Sequence, residues 1–165
     1  MSTTMRSVTT TGRLLGARQL ATVVQRVADR QIEWLDRIRL NPAGRWYEQI
    51  HLDDSHEVWL ISWLPGQETG FHDHGGASGA FTVALGTLLE SRPAGAAVQS
   101  KPVGAGGVRS FGPRYIHNVR NASAASVAVS VHAYSPPLSA MTRYEMTQSG
   151  LVSLGTEAAT AWSAA

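Results

Sequence analysis

Between Ala17 and Arg39 the apolar residues Leu20, Val23, Val24, Val27, Ile32, Leu35 and Ile38 recur at helical spacing, which gathers side chains on one face of an α-helix. The pattern predicts one or two amphipathic helices with a break near Asp29. The Pro and Gly of NPAG, residues 41–44, stop the helical run. Beyond them the apolar runs become short and are separated by Gly, Pro and Asp clusters, which predicts strands at 45–52, 57–63, 80–85, 88–92, 107–111, 116–120 and 126–134. Many short strands at regular spacing point to a mainly β sandwich or barrel. The low-complexity stretch AGAAVQSKPVGAGG, residues 94–107, reads as hairpin turns. Past Tyr144 the pattern supports one last strand at LVSLG and then a polar, Ala-rich tail. No internal repeat is visible. The resulting organisation is a flexible leader over 1–12, a single domain over 13–152 with helices at about 17–39, and a tail over 153–165.

Composition narrows the class. The 165 residues are 43% hydrophobic and 16% charged, which fits one compact globular domain. The net charge of +2 comes with scattered arginines and no basic run, so no nucleic-acid footprint is expected. The Thr-rich start lacks an apolar signal core, and nowhere do ~18 uncharged apolar residues run together; no membrane partner is expected. With no Cys in the chain there is no disulfide framework, no thiolate ligand and no cysteine nucleophile, which permits a reducing cytoplasm. Any metal must then be held by His or carboxylate.

Two of the six histidines stand in TGFHDHGG, residues 69–76. In a strand, His72 and His74 share one face while Asp73 points away. His117, in FGPRYIHNVRN, enters another strand after a Gly-Pro turn and is the candidate third ligand. Three neutral imidazoles without a carboxylate suit Fe, Zn, Cu or Ni better than Mg or Ca. His51 and His56 flank an acidic turn and read as solvent-facing. Farther on, SVHAY places Ser130, His132 and Tyr134 on one face of a strand. Such a ladder is a wet surface if exposed; if buried, each member needs a hydrogen-bond partner and the whole forms a relay.

These residues resemble a known family. GQETGFHDHGGASGAFTVALG carries Gly66, His72, His74 and Gly86 as in the first cupin motif, with Gly79 where most cupins have a ligand glutamate. The second motif is matched by Gly106, Pro113, His117 and Asn121, with Pro113 displaced by one position. With Trp63 and the run SVHAYSPP, the chain resembles the cysteine dioxygenase family of thiol dioxygenases, in its bacterial form, over about residues 40–145. The resemblance implies a cupin jelly-roll β-barrel or sandwich preceded by one or two N-terminal α-helices. It implies Fe(II) held by His72, His74 and His117, and an outer relay of Ser130, His132 and Tyr134. The activity implied is addition of both atoms of O2 to the sulfur of a small mercapto-carboxylic acid, L-cysteine or 3-mercaptopropionate, by a cytoplasmic monomer or small homo-oligomer. Another metal-dependent cupin enzyme, an isomerase or carbon-cleaving dioxygenase, and a non-catalytic ligand-binding cupin are the alternatives.

Two departures from the family pattern matter. Animal members have a cysteine, cross-linked to the tyrosine, at the position of Gly79, so here Tyr134 stays an unmodified phenol. An arginine that grips the substrate carboxylate in the best-known members is replaced by Gln49. That resembles a branch preferring 3-mercaptopropionate, in which a later arginine, matched here by Arg143, takes the carboxylate. Arg45 and Tyr47 share the strand face of Gln49, and Arg45 is a second candidate for the carboxylate. An exposed arginine stem is the other reading of Arg143.

Overall fold

The computed structural model describes residues 12–159. The helical stretch divides as the spacing predicts, into α1 (Ala17–Ala28) and the single turn α2 (Gln31–Trp34), continued by a 3-10 turn at Leu35–Arg37. At its start the Gly16 amide donates to Gln19 Oε1 at 2.9 Å, and its buried stripe is Leu20 and Val24, four residues apart. Neither helix is long and apolar enough to cross a membrane.

Eleven strands follow among the described residues: β1 (Trp46–Leu52), β2 (Glu57–Trp63), β3 (Phe71–His72), β4 (Ser78–Leu85), β5 (Thr87–Ala94), β6 (Ala97–Gly104), β7 (Val108–Phe111), β8 (Asn118–Arg120), β9 (Ala128–Ser135), β10 (Ala140–Thr147) and β11 (Gly150–Ala158). They build a five-stranded sheet in the order β1-β2-β9-β4-β7 and two three-stranded sheets, β11-β10-β3 and β6-β5-β8. Every strand pair is antiparallel. The architecture is the mainly β jelly-roll, with the short N-terminal helices before it.

The five-stranded sheet is covered on both faces, and alternation decides what each face meets. Val58, Leu60, Val129, Val131 and Ala133 pack with Leu20, Val24 and Trp34 of the helices. Ile61, Trp63, Phe81, Val83 and Tyr134 point the other way, into a core shared with Leu88, Val103 and Val119 of the β6-β5-β8 sheet. Because β9 is buried along its whole length, Ser130 and His132 face that interior and not water.

Three strands depart from the sequence reading. The low-complexity stretch makes a hairpin turn as expected, with Ala94 paired to Ala97, but most of it is then the regular strand β6, which runs on to Gly104. β6 is exposed except at Val103, so it has no apolar alternation to betray it, and as an edge strand it tolerates Pro102. β10 was not expected as a strand; most of its residues are half-buried, so its two faces do not contrast. The tail expected from residue 153 begins later, since pairing with β10 carries β11 through Ala158. Most of the expected leader, residues 1–11, and the last residues of the tail lie outside the described residues.

Candidate active site

The three candidate ligands arrive from two segments that pair directly. The His72 amide donates to the His117 carbonyl at 3.0 Å and the His117 amide returns a bond to the His72 carbonyl at 3.2 Å. This antiparallel bridge sets the two rings side by side, 4.9 Å between centroids. His74 converges on them by a different route than strand alternation, because β3 ends at His72 and His74 lies in the turn that follows. Asp73 is pinned outward: its Oδ1 accepts the Gly75 and Thr142 amides, each at 3.0 Å, and its Oδ2 accepts the Tyr144 hydroxyl at 2.8 Å. With Asp73 tied to β10, the rings on either side of it turn inward, 4.9 Å apart. Gly75 makes the turn possible. Its φ is +59°, and a Cβ there would lie 2.5 Å from the Ala140 carbonyl oxygen.

All three imidazoles are buried, and one ring nitrogen from each lies within 4.8 Å of the others. Two of the rings have their outer nitrogen occupied. His72 Nδ1 donates to the Gly70 carbonyl at 3.0 Å, and His117 Nδ1 to Glu90 Oε1 at 2.9 Å. That fixes the tautomer and leaves each Nε2 unprotonated and directed inward. Neither nitrogen of His74 makes a hydrogen bond of full geometry, and the Tyr115 backbone lies near enough for a weak one that works against burial on the ring. A buried polar atom short of a partner is costly, and a shared cation removes the cost at His74 while using the free Nε2 atoms of the other two. Burial first, and then repulsion within the group, hold His72 and His74 well below the ordinary imidazole range. Burial also lowers His117, against the pull of Glu90. The trio is neutral, the form that binds a transition metal, and a nitrogen-only donor set fits iron, zinc, copper or nickel.

Glu90 is a site residue that the sequence reading missed. It is buried, accepts the Tyr115 hydroxyl at 2.9 Å as well as His117, and meets Arg109 Nε at 3.2 Å. Burial pushes its carboxyl up, but the bonds from His117 and Tyr115 and the charge of Arg109 outweigh it, so Glu90 sits below the ordinary range. The available signal was alternation in LLESR: Glu90 shares its strand face with the core residue Leu88.

The SVHAY ladder is a buried relay. The Trp63 indole donates to Ser130 Oγ at 2.8 Å, Ser130 Oγ meets His132 Nε2 at 2.9 Å, and His132 Nδ1 lies 3.3 Å from the Tyr134 hydroxyl. Phe81 stacks on the His132 ring at 5.1 Å, and Tyr134 on His74 at 5.2 Å. Burial, with the charges of His117 and Arg45 adding to it, pushes His132 down to about 3. Burial pushes the Tyr134 phenol up, so it is a donor, not a phenolate. Gly79, paired with Tyr134 across β4 and β9, leaves no room for a side chain: a Cβ would lie 3.0 Å from Tyr134 Cδ1 and closer still to Phe111.

A cavity of about 130 Å³ opens beside two of the trio, with His72, His117, His132 and Tyr134 on one part of its wall and Arg45, Tyr47 and Arg143 on another; His74 lies behind Tyr134 and does not line it. An engineered cavity of roughly 150 Å³ holds benzene, so this one has room for a ligand of about six non-hydrogen atoms. Gln49 does not line it. The Gln49 side chain is exposed and donates through Nε2 to Glu57 Oε2 at 2.8 Å, while Glu57 Oε1 accepts the Leu138 amide. The shared strand face carries Arg45 and Tyr47 to the cavity and Gln49 past its rim. His51 and His56 lie at the β1–β2 turn around Asp53, away from the cavity wall.

Residues 10–147 match the family model for cysteine dioxygenase type I. The chain belongs to that family. Among solved structures, a protein of Thermus thermophilus is 23% identical with a TM-score of 0.54, over 62% of this chain and 94% of that one. A Klebsiella pneumoniae protein with a double-stranded β-helix domain is 17% identical with a TM-score of 0.54, over 81% and 92%. A cupin superfamily protein of Desulfitobacterium hafniense is 11% identical with a TM-score of 0.52, over 62% and 86%. At these identities the likeness concerns the cupin fold. Family and fold together make the protein a cupin of the thiol dioxygenase class with a three-histidine site suited to a metal.

Proposed function

We propose that this protein is an iron(II)-dependent dioxygenase of small mercapto-carboxylic acids, L-cysteine or 3-mercaptopropionate, working in a reducing cytoplasm. The observation that carries the reading is the convergence of three buried imidazoles, one nitrogen of each within 4.8 Å of the others, with no hydrogen bond of full geometry on His74. His72, His74 and His117 would hold the metal, and Glu90 and the Gly70 carbonyl would orient two of these ligands from behind. Iron(II) bound there would supply the redox chemistry by which both atoms of O2 end on sulfur as a sulfinic acid, with the thiol itself as the electron source.

The chain's own residues then bind and orient. Three neutral ligands leave the centre cationic, which favours an anionic thiolate over a neutral thiol. Ser130 and His132 fix the direction of the Tyr134 hydroxyl, and that hydroxyl donates a hydrogen bond to what lies beside His74. The substrate carboxylate pairs with a cavity guanidinium, Arg143 or Arg45. Ile61, Val119, Leu138 and Met141 complete an apolar wall that limits water around these polar groups. Proximity in a fixed geometry is the protein's contribution to the rate. The test is oxygen uptake by the iron-loaded protein with a mercapto-carboxylate. Sulfinic acid as product supports the reading, and an iron-loaded protein inert toward every small thiol contradicts it.

A further inference from the structure

A second group of metal-type donors lies at the β1–β2 turn, outside the cavity. β1 changes register between Gln49 and His51, and such a bulge re-aims the residues beyond it. His51 and Asp53, two positions apart, then share one side of the hairpin. His56 reaches that side from the other arm of the turn, because the Asp53 amide donates to its carbonyl at 3.0 Å. The two imidazole rings stand 4.4 Å apart between centroids. Both direct a nitrogen to one carboxylate: His51 Nε2 lies 3.1 Å from Asp53 Oδ2, and His56 Nδ1 lies 3.3 Å from Oδ1. One ligand atom from each of the three residues lies within 4.8 Å of the others. Unlike the buried trio, the group is open to ions from solution, with side chains 44% exposed at His51, 47% at Asp53 and 15% at His56.

We propose that His51, Asp53 and His56 form a second metal site, which takes a late first-row divalent cation, zinc(II) or copper(II), from solution. The proposal goes beyond the dioxygenase reading and does not depend on it. Two imidazoles and a carboxylate are donors these ions accept. With bonds of about 2.0–2.2 Å, two ligand atoms of a tetrahedral zinc ion stand roughly 3.3–3.5 Å apart; the two histidine–carboxylate distances are close to that already. The carboxylate is held in place for the task. Its Oδ1 accepts the Ser55 amide at 2.8 Å, the Ser55 hydroxyl at 2.7 Å and the His56 amide at 2.9 Å, which fixes its plane and leaves Oδ2 to the His51 side. Asp54, next in the chain, adds a second negative charge at the turn. His56 Nδ1 also lies 2.8 Å from Ser55 Oγ. Because that hydroxyl donates to Asp53, the ion-free ring donates from Nδ1, and an ion there requires only that the proton move to Nε2. Three protein ligands leave a coordination position for water. Iron(II) stands below zinc and copper in the divalent series, so iron loading followed by desalting fills the trio and leaves the hairpin free.

The experiment is equilibrium dialysis of the full chain against micromolar free zinc(II), followed by metal analysis. The wild type should hold one zinc ion more than His51→Ala. The same difference should persist in a His72→Ala/His74→Ala background, which puts the extra ion outside the trio. Affinity at the hairpin should fall by more than about 10-fold in His51→Ala, since even a partner outside the ligands is worth ~10- to 100-fold. Copper(II), which is paramagnetic, should broaden the backbone amide NMR signals of residues 51–57 in the wild type and spare them in His51→Ala. Equal zinc content and affinity with and without His51 overturn the proposal. Should the variants fail to fold, wild-type protein whose residues 51–57 keep sharp signals in excess micromolar copper(II) overturns it alone.

Discussion

His117 Nδ1 lies 2.9 Å from Glu90 Oε1, which places a buried carboxylate directly behind a candidate metal ligand. Such outer partners orient the imidazole and raise its basicity. Glu90→Ala should therefore weaken metal affinity about 10- to 100-fold, measured by competition with a chelator, and Glu90→Gln should weaken it less because an acceptor remains. Unchanged affinity in both variants would show that His117 is held by other means.

Tyr134→Phe removes the terminal hydroxyl of the Trp63–Ser130–His132 relay while leaving the ring stacked on His74. Turnover should fall by about 10- to 100-fold, the usual effect of a change just outside the metal's ligands, with iron content unaltered. Steady-state oxygen uptake and metal analysis of the same preparation decide it; wild-type turnover would remove the phenol from the mechanism.

A Cβ at Gly79 would lie 2.6 Å from Phe111 Cζ and 3.0 Å from Tyr134 Cδ1. Gly79→Ala should cost about 1–3 kcal/mol, as overpacking of a filled core does, and urea denaturation would report it. The same clash means that Gly79→Cys alone should not produce a thioether with Tyr134; an intact mass two hydrogens below the expected value would contradict this.

Asp53 caps the β1–β2 turn. Its Oδ1 accepts the Ser55 amide at 2.8 Å, the Ser55 hydroxyl at 2.7 Å and the His56 amide at 2.9 Å. These bonds, the Ser55 hydroxyl foremost, hold its carboxyl well below the ordinary range. A depressed folded-state value stabilises the protein above the unfolded value and loses that effect as pH falls, here from about 4 downward. Asp53→Asn should lower Tm at pH 7 by no more than about 4 °C, the shift that ~1 kcal/mol gives at this size. The gap to wild type should narrow at pH 3. A gap of equal size at both pH values would show that the ionised carboxylate is not the cause.

What could be read from the sequence follows the apolar content that burial demands. β2 is buried at every residue but Trp59 and reads as a nearly continuous apolar run, and α1 carries its apolar stripe at four-residue steps, so both elements are legible. β6 carries almost no buried residue and β10 has no contrasting faces, so neither left a pattern. The histidines were legible because His72, His74 and His117 are scarce residues at meaningful spacing. Their pairing was not, since the bridge between His72 and His117 joins residues far apart in sequence. Gln49 shows the limit of alternation: it shares a face with Arg45 and Tyr47, yet β1 carries it beyond the cavity to Glu57.

The most direct test is oxygen consumption and sulfinic acid formation by protein loaded anaerobically with iron(II), with L-cysteine, 3-mercaptopropionate and cysteamine in parallel and a His74→Ala variant beside it. The account predicts one O2 consumed per sulfinic acid formed from a mercapto-carboxylate, no reaction with cysteamine, and no iron or activity in the variant. Full activity in His74→Ala, or an iron-loaded wild type that oxidises none of the three thiols, would contradict it.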